Sequence, residues 1–207
     1  MRLEKKPQRP KPQSRLFLAF DLPLDLKRQL HANNRIFNKE NRNFNFVTPE
    51  QMHLTIKFLG NNVSSKSMIK IIEAVNDVIK DVYPMSLEIN SLRFGFPHQT
   101  IPKIIFYNIL PTVELDNLYK AIGYRIKKLE LSDILATSFI KKEVYHLTVA
   151  RLKHQPNRGF GRKIRTIIKE FEFEPISFPV NEFWLMESVL DKSNTPKYSF
   201  IHKFNLK

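Results

Sequence analysis

The chain has no cysteine. Disulfide staples and thiol nucleophiles are therefore excluded, and the composition fits a reducing compartment. No apolar run approaches the roughly 20 residues of a membrane-spanning helix. The N-terminus also lacks the apolar core of a secretory signal. A cytoplasmic protein that does not enter the membrane is expected. Acidic residues are scarce beside basic ones, 20 Asp+Glu against 34 Lys+Arg, which leaves a formal charge of +14. That surplus favours a polyanionic partner: RNA, DNA or an anionic lipid surface.

Hydrophobic residues make up 42% of the 207 residues, enough for a real core. Residues 1–13, MRLEKKPQRPKPQ, carry three prolines and five basic residues but no recurring core position. They predict a flexible basic tail. Residues 14–207 read as a single bilobal domain made of two similar units.

In the first unit a strand over 15–20 precedes a helix with Pro23 in its first turn and Leu26, Leu30 and Phe37 at near-helical spacing. A strand over 52–59 follows. Ser64 or Ser65 then caps a helix with Met68, Ile71, Ile72, Val75 and Ile79 on one face, and a strand over 86–96 ends the unit. The second unit repeats the order. It has a strand over 103–108, a Thr112-capped helix with Leu115, Leu118, Ile122, Ile126 and Leu129, and a strand over 144–151. A helix with Ile164, Ile167, Ile168 and Phe171 and a strand over 183–190 complete it. A last strand, 198–206, alternates Tyr198, Phe200, His202, Phe204 and Leu206 on one face. The prediction is a pseudo-twofold α+β protein, with two antiparallel sheets facing across a central groove and helices outside.

One echo singles out that groove. His53-Leu54-Thr55-Ile56 returns as His146-Leu147-Thr148-Val149, 93 positions later. In a strand, side chains i and i+2 share a face. Each His therefore points with its own Thr, while Leu54, Ile56, Leu147 and Val149 point to the core. A lone histidine on a strand is usually structural. Two copies in matching apolar frames are hard to obtain by accident. Neither His has a second His or a carboxylate at metal-ligand spacing, so no metal and no other cofactor is expected.

Paired imidazoles and hydroxyls suit a phosphodiester held between the lobes. One neutral His takes a proton from water as it attacks phosphorus, and one protonated His gives a proton to the departing oxygen. An unperturbed pKa of about 6.5 makes both forms available near neutrality. Thr55 and Thr148 bind the phosphate oxygens. Arg151 is a further phosphate candidate because its planar fork suits phosphate. Strict alternation puts it on the opposite face from His146, so it reaches the groove only if the strand ends or bulges. Lys57 shares the face of His53 if its strand stays regular, where a groove-edge surface lysine is expected. Phe44, Phe46, Phe94, Phe96 and Tyr145 are possible base-stacking residues, but with 17 Phe in the chain most aromatics must be core.

The paired motifs resemble those of the 2H phosphoesterases. Within that superfamily the chain is most similar to the RNA 2′,3′-cyclic phosphodiesterases, also called 2′-5′ RNA ligase-like or LigT-like proteins. The resemblance runs over about residues 15–206 and rests on RLFLAFDLP, HLTIKFLG, HLTVAR and the late stretch 185–190 before Tyr198. It implies His53 as proton donor, His146 as proton acceptor, and Thr55 and Thr148 as phosphate ligands. It also implies RNA with 2′,3′-cyclic phosphate ends as the substrate; a monomer is expected, with no membrane partner. Two stretches depart from the family pattern. Pro102-Lys103-Ile104-Ile105-Phe106 replaces a Pro-x-Val-Leu-Trp, and 194–197 lack the usual Gly before the final Tyr. Both bear on substrate preference. Hydrolysis of 2′-5′ linked oligonucleotides, RNA end joining and noncatalytic RNA binding on the same fold stay open beside cyclic-phosphate hydrolysis.

Overall fold

The computed structural model describes residues 14–97, 99–134, 144–191 and 195–207. The predicted tail over 1–13 and His98 lie outside the described residues. Among the described residues, nine strands and four α-helices follow in this order: β1 Ser14–Asp21, α1 Leu24–Ala32, β2 Phe44–Phe46, β3 His53–Asn61, α2 Ser65–Ile79, β4 Met85–Phe94, β5 Ile104–Ile109, α3 Val113–Lys127, β6 Tyr145–Leu152, α4 Arg158–Glu170, β7 Ile176–Val180, β8 Glu182–Leu190 and β9 Pro196–Asn205. Two 3-10 segments, Asn33–Asn43 and Pro49–Gln51, connect α1 to β2 and β2 to β3. Phe37 is on the first of them, so the expected first helix stops five residues before it, at Ala32.

The strands form one curled antiparallel sheet in the order β7-β4-β5-β6-β3-β1-β8-β9, with β2 pairing β6 as well. The two expected sheets are thus its two halves, β3-β1-β8-β9 and β6-β5-β4-β7. A single residue pair, Leu54 with Leu147, joins them. The halves are not the two consecutive units. Each unit sends its last strand to the other half: β4 pairs β5, and β8 pairs β1. This exchange means that neither unit completes a sheet alone, so the groove between the lobes is braced by both.

The helices form where apolar spacing and caps agree. Ser64 accepts from the Ser67 N–H at the start of α2, Thr112 from the Leu115 N–H at α3, and Asn157 from the Phe160 N–H at α4. Their inward faces are buried: Ile71, Val75 and Ile79; Leu115, Leu118, Ile122 and Ile126; and Ile164. α2 packs on α3, α4 packs on β4, and the C-terminal end of α1 receives the Tyr107 hydroxyl at the Leu30 carbonyl, 3.1 Å away. Leu54 and Leu147, at the junction of the halves, are fully buried. Each such side chain stabilises the fold by roughly 1.5–3 kcal/mol, so the residues between His and Thr anchor the very strands that present them.

Candidate active site

His53 and Thr55 stand on β3, and His146 and Thr148 on β6, all half-buried between fully buried neighbours. The Leu54–Leu147 pair fixes the antiparallel register between them. Extending that register sets His53 across from Thr148 and His146 across from Thr55. The pseudo-twofold axis passes through the leucine pair, and the two histidines are its diagonal neighbours. In a regular ladder such neighbours lie roughly 7–8 Å apart, and the strands splay from a single bridge here.

Each imidazole is oriented by its own backbone. His53 Nδ1 is 2.9 Å from the Gln51 carbonyl, and His146 Nδ1 is 3.3 Å from the Val144 carbonyl. A carbonyl only accepts, so Nδ1 carries a proton in both rings. The nitrogen that can exchange a proton with a substrate is then Nε2. Aromatic neighbours hold the rings further. Phe17 stacks on His53 at 5.0 Å, and Tyr198 meets it edge-on at 5.0 Å. Phe96 and Phe106 present edges to His146 at 4.9 and 5.4 Å. Phe96 gets there through Gly95, whose φ of +78° suits glycine and whose added Cβ would meet Pro102 Cβ at 2.4 Å.

The strands do not stay regular after the threonines. β1 pairs Ala19 with Thr55 but Leu18 with Lys57, which leaves Ile56 as an extra residue. β5 pairs Phe106 with Thr148 but Ile105 with Ala150, which leaves Val149 as an extra residue. The same bulge thus occurs in both motifs and reverses the facing of the residues after it. Arg151 is turned into the groove, where it lines a cavity of about 410 Å³ together with His53, Thr55 and His146. An adjoining cavity shares those residues and adds Thr148 and Gln51. The predicted Arg151 position therefore depends on the bulge that regular alternation omits.

Lys57 is sunk into the wall of the first cavity beside Tyr119. It is 3% exposed and is no surface lysine. Its ammonium lies 4.7 Å from the Tyr119 ring centroid and 3.5 Å from the Tyr119 hydroxyl on α3. Burial pulls its pKa down from 10.5 to about 8. β9 is also kinked. Met186 pairs with Phe200 but Leu185 with His202, so Ile201 is the extra residue. Tyr198 lines the groove and Phe200 is exposed against Trp184, while Phe204 and Leu206 are buried, so the expected five-residue face is split in two.

Three groove residues escaped the sequence reading. Arg15, Ser188 and Tyr198 line both cavities. Burial raises the Tyr198 phenol's pKa, against the opposing pull of Arg151 and Arg15. Neither arginine has an ion-pair partner among the described residues. Among those residues no group of three His, Asp or Glu is placed to hold a metal ion. The remaining aromatic candidates are elsewhere: Phe44 and Phe46 cluster with Phe37, Tyr145 is buried with its hydroxyl donating to Asp116, and Phe94 lies beneath Arg165.

A family profile, the AKAP7 2′5′ RNA ligase-like domain, matches residues 23–206. The chain belongs to this 2′-5′ RNA ligase-like family of 2H phosphoesterases. It is 26% identical over 189 residues to the RNA 2′,3′-cyclic phosphodiesterase of Thermotoga maritima, covering 91% of this chain and 94% of that one. It is 25% identical over 193 residues to the protein of the same name from Methanothermobacter thermautotrophicus, covering 93% and 98%. In fold it is similar to TT0787 of Thermus thermophilus, with a TM-score of 0.71, 23% identity and coverage of 93% and 97%. It is also similar to E. coli LigT crystallised with 3′-AMP, with a TM-score of 0.65, 19% identity and coverage of 95% and 99%. The general activity that this family membership supports is that of a phosphoesterase. One described residue of each stretch that departs from the family pattern lies close to the site. Phe106 flanks His146, and Pro196 lines the groove beside Tyr198.

Proposed function

We propose that the chain is an RNA 2′,3′-cyclic phosphodiesterase that opens a terminal cyclic phosphate to a 2′-phosphate end, with His53 as proton donor and His146 as acceptor. The observation that carries this reading is the symmetric pair of imidazoles. Both have Nδ1 committed to a backbone carbonyl, and both stand across from a threonine in one arginine-bearing cavity.

The steps balance without a further reactant. Water attacks phosphorus, forming a P–O bond, and its proton passes to neutral His146 Nε2. The bond from phosphorus to the ribose 3′-oxygen breaks, and that oxygen takes the proton of charged His53 Nε2. The threonine hydroxyls and the Arg151 guanidinium face the nonbridging oxygens, where negative charge grows in the transition state. The product is a 2′-phosphate with a free 3′-hydroxyl.

The test is product analysis on a short RNA ending in a 2′,3′-cyclic phosphate, with EDTA present. A 2′-phosphate end is expected, at an undiminished rate in chelator. A 3′-phosphate product would reject the assigned scissile bond. Turnover confined to internal 2′-5′ linkages, or joined ends, would favour the competing activities of this family type. Binding without any turnover would leave an RNA-binding module.

A further inference from the structure

Resting on the cyclic phosphodiesterase reading, we propose that Arg15, with Ser188 beside it, forms a second anion subsite for the phosphodiester on the 5′ side of the terminal nucleoside. The preferred substrate is then an oligonucleotide end rather than a free cyclic mononucleotide.

Register places the subsite. Arg15 pairs with Ser188, and Ser188 pairs with Tyr198, so the three form one row across β1, β8 and β9. That row is offset from the reacting centre, because the residue of β1 opposite Thr55 is Ala19. Four residues of strand amount to roughly 13 Å. An arginine side chain covers only part of that distance. Its guanidinium therefore stops short of the reacting phosphate and is left to meet the neighbouring one. Tyr198 spans the gap, since its ring touches those of both His53 and Phe17.

Electrostatics points the same way. Arg15 is exposed, comes from the opposite lobe to Arg151, and lines the same cavities. No carboxylate among the described residues pairs with either. Two arginines held in one concave site, with Lys57 in its wall and no carboxylate among the described residues pairing either guanidinium, raise its potential and draw in a polyanion. A single reacting phosphate engages Arg151 and the threonines. Arg15 is left for a second negative charge, which a cyclic mononucleotide lacks and an RNA end supplies.

The experiment compares two substrates, a 2′,3′-cyclic mononucleotide and a dinucleotide ending in the same cyclic phosphate. With Arg15→Ala, KM for the dinucleotide should rise roughly tenfold or more, the scale of a lost charged hydrogen bond. KM for the mononucleotide should move far less. Arg15→Glu should widen the difference, and Arg15→Lys should restore part of it. Equal losses on both substrates would overturn the subsite and put Arg15 at the reacting phosphate. No change on either would also overturn it. A parallel titration uses unreactive ligands, a 3′-nucleoside monophosphate and a dinucleotide with the same 3′-phosphate. Arg15→Ala should lower the salt slope of dinucleotide binding by about 0.7, one contact's worth on a single strand. If the wild-type protein hydrolyses neither cyclic substrate, the proposed reaction fails. The titration then still decides the subsite.

Discussion

The two halves of the groove share a backbone and differ in what it carries. In both motifs His and Thr are followed by a bulge, at Ile56 and at Val149. The equivalent residues then diverge: Lys57 against Ala150, Phe58 against Arg151. Opposite the histidines, Asp21 corresponds to Asn108. One imidazole is stacked on an aromatic face and the other is ringed by aromatic edges. In the proposed reaction the symmetric part supplies the two proton carriers. The asymmetric part distinguishes the two sides, because Arg151 follows the bulge on the His146 side and Phe58 stands at the matching place on the other.

The largest effects should come from breaking the symmetric part. His53→Ala and His146→Ala should each cut turnover by about 10²–10⁴-fold with the fold retained. The double variant should fall little below the worse single, because groups acting as a unit are not additive. An aryl ester of the nucleotide sharpens the comparison, since its leaving phenolate needs no proton. On that substrate the loss in His53→Ala should shrink while the loss in His146→Ala persists. The opposite pattern would exchange the assigned roles.

A smaller loss should follow from the first asymmetric position. Arg151→Ala removes a donor aimed at developing charge, an effect on the order of 10²-fold in kcat. Phe58→Ala, at the matching place, should cost mainly binding and therefore appear in KM. Saturation kinetics on the cyclic mononucleotide separates the two. A kcat unmoved by loss of Arg151 would confine that residue to ground-state binding.

Lys57 gives a test through stability. Between pH 8 and 10.5 the unfolded chain holds a proton at this lysine that the folded chain has shed. Stability at this site therefore rises with pH across that window, and below it the folded state bears the full cost of a buried ammonium. Lys57→Met keeps the length and removes the charge. The variant should be more stable than wild type at pH 7, by on the order of 2 kcal/mol, with the gap closing by pH 10.5. Denaturant melts at several pH values measure this. A gap that ignores pH would mean that contacts of the ammonium, such as that with Tyr119, outweigh its burial.

The features legible in the chain are those that repeat along it. The histidines, the threonines and the helix faces obey periods of 2 or 3.6, and Ser64 and Thr112 cap where their helices begin. The bulges obey no period. They are set by which strand lies alongside, and they decided the places of Lys57, Arg151 and the second half of β9. β2 has three residues and β7 contains Pro179 within its five, so neither offered a run long enough to notice. Arg15 and Tyr198 meet only because β8 crosses to the other unit's half, a pairing of residues far apart in the chain. The exchange of β4 and β8 has no local signature at all.

The smallest expected effect compares the helices that come after the two motifs. α4 starts on Asn157, whose side chain accepts from the Phe160 N–H at 2.8 Å. α2 starts on a larger set. Ser64 accepts from the Ser67 N–H, and Asp133, beyond α3, accepts from the Ser64 N–H at 2.8 Å and the Ser67 hydroxyl at 2.7 Å. Those hydrogen bonds, chiefly that from Ser67, hold the Asp133 carboxyl below its ordinary pKa. The contribution of Asp133 is therefore fully present above the ordinary carboxylate range and is lost as pH falls through the folded value. Ser64→Ala and Asn157→Ala should each cost about 1 kcal/mol at neutral pH, the usual worth of such a cap. Asp133→Asn should destabilise at neutral pH but converge on wild type in acid, while Asn157→Ala keeps the same deficit at both. Because Asp133 ties α2 to the segment after α3, its loss should also speed amide exchange at the start of α2 and leave the start of α4 unaffected. Equal exchange at both helix starts would show that Asp133 serves its own loop and not the first motif's helix.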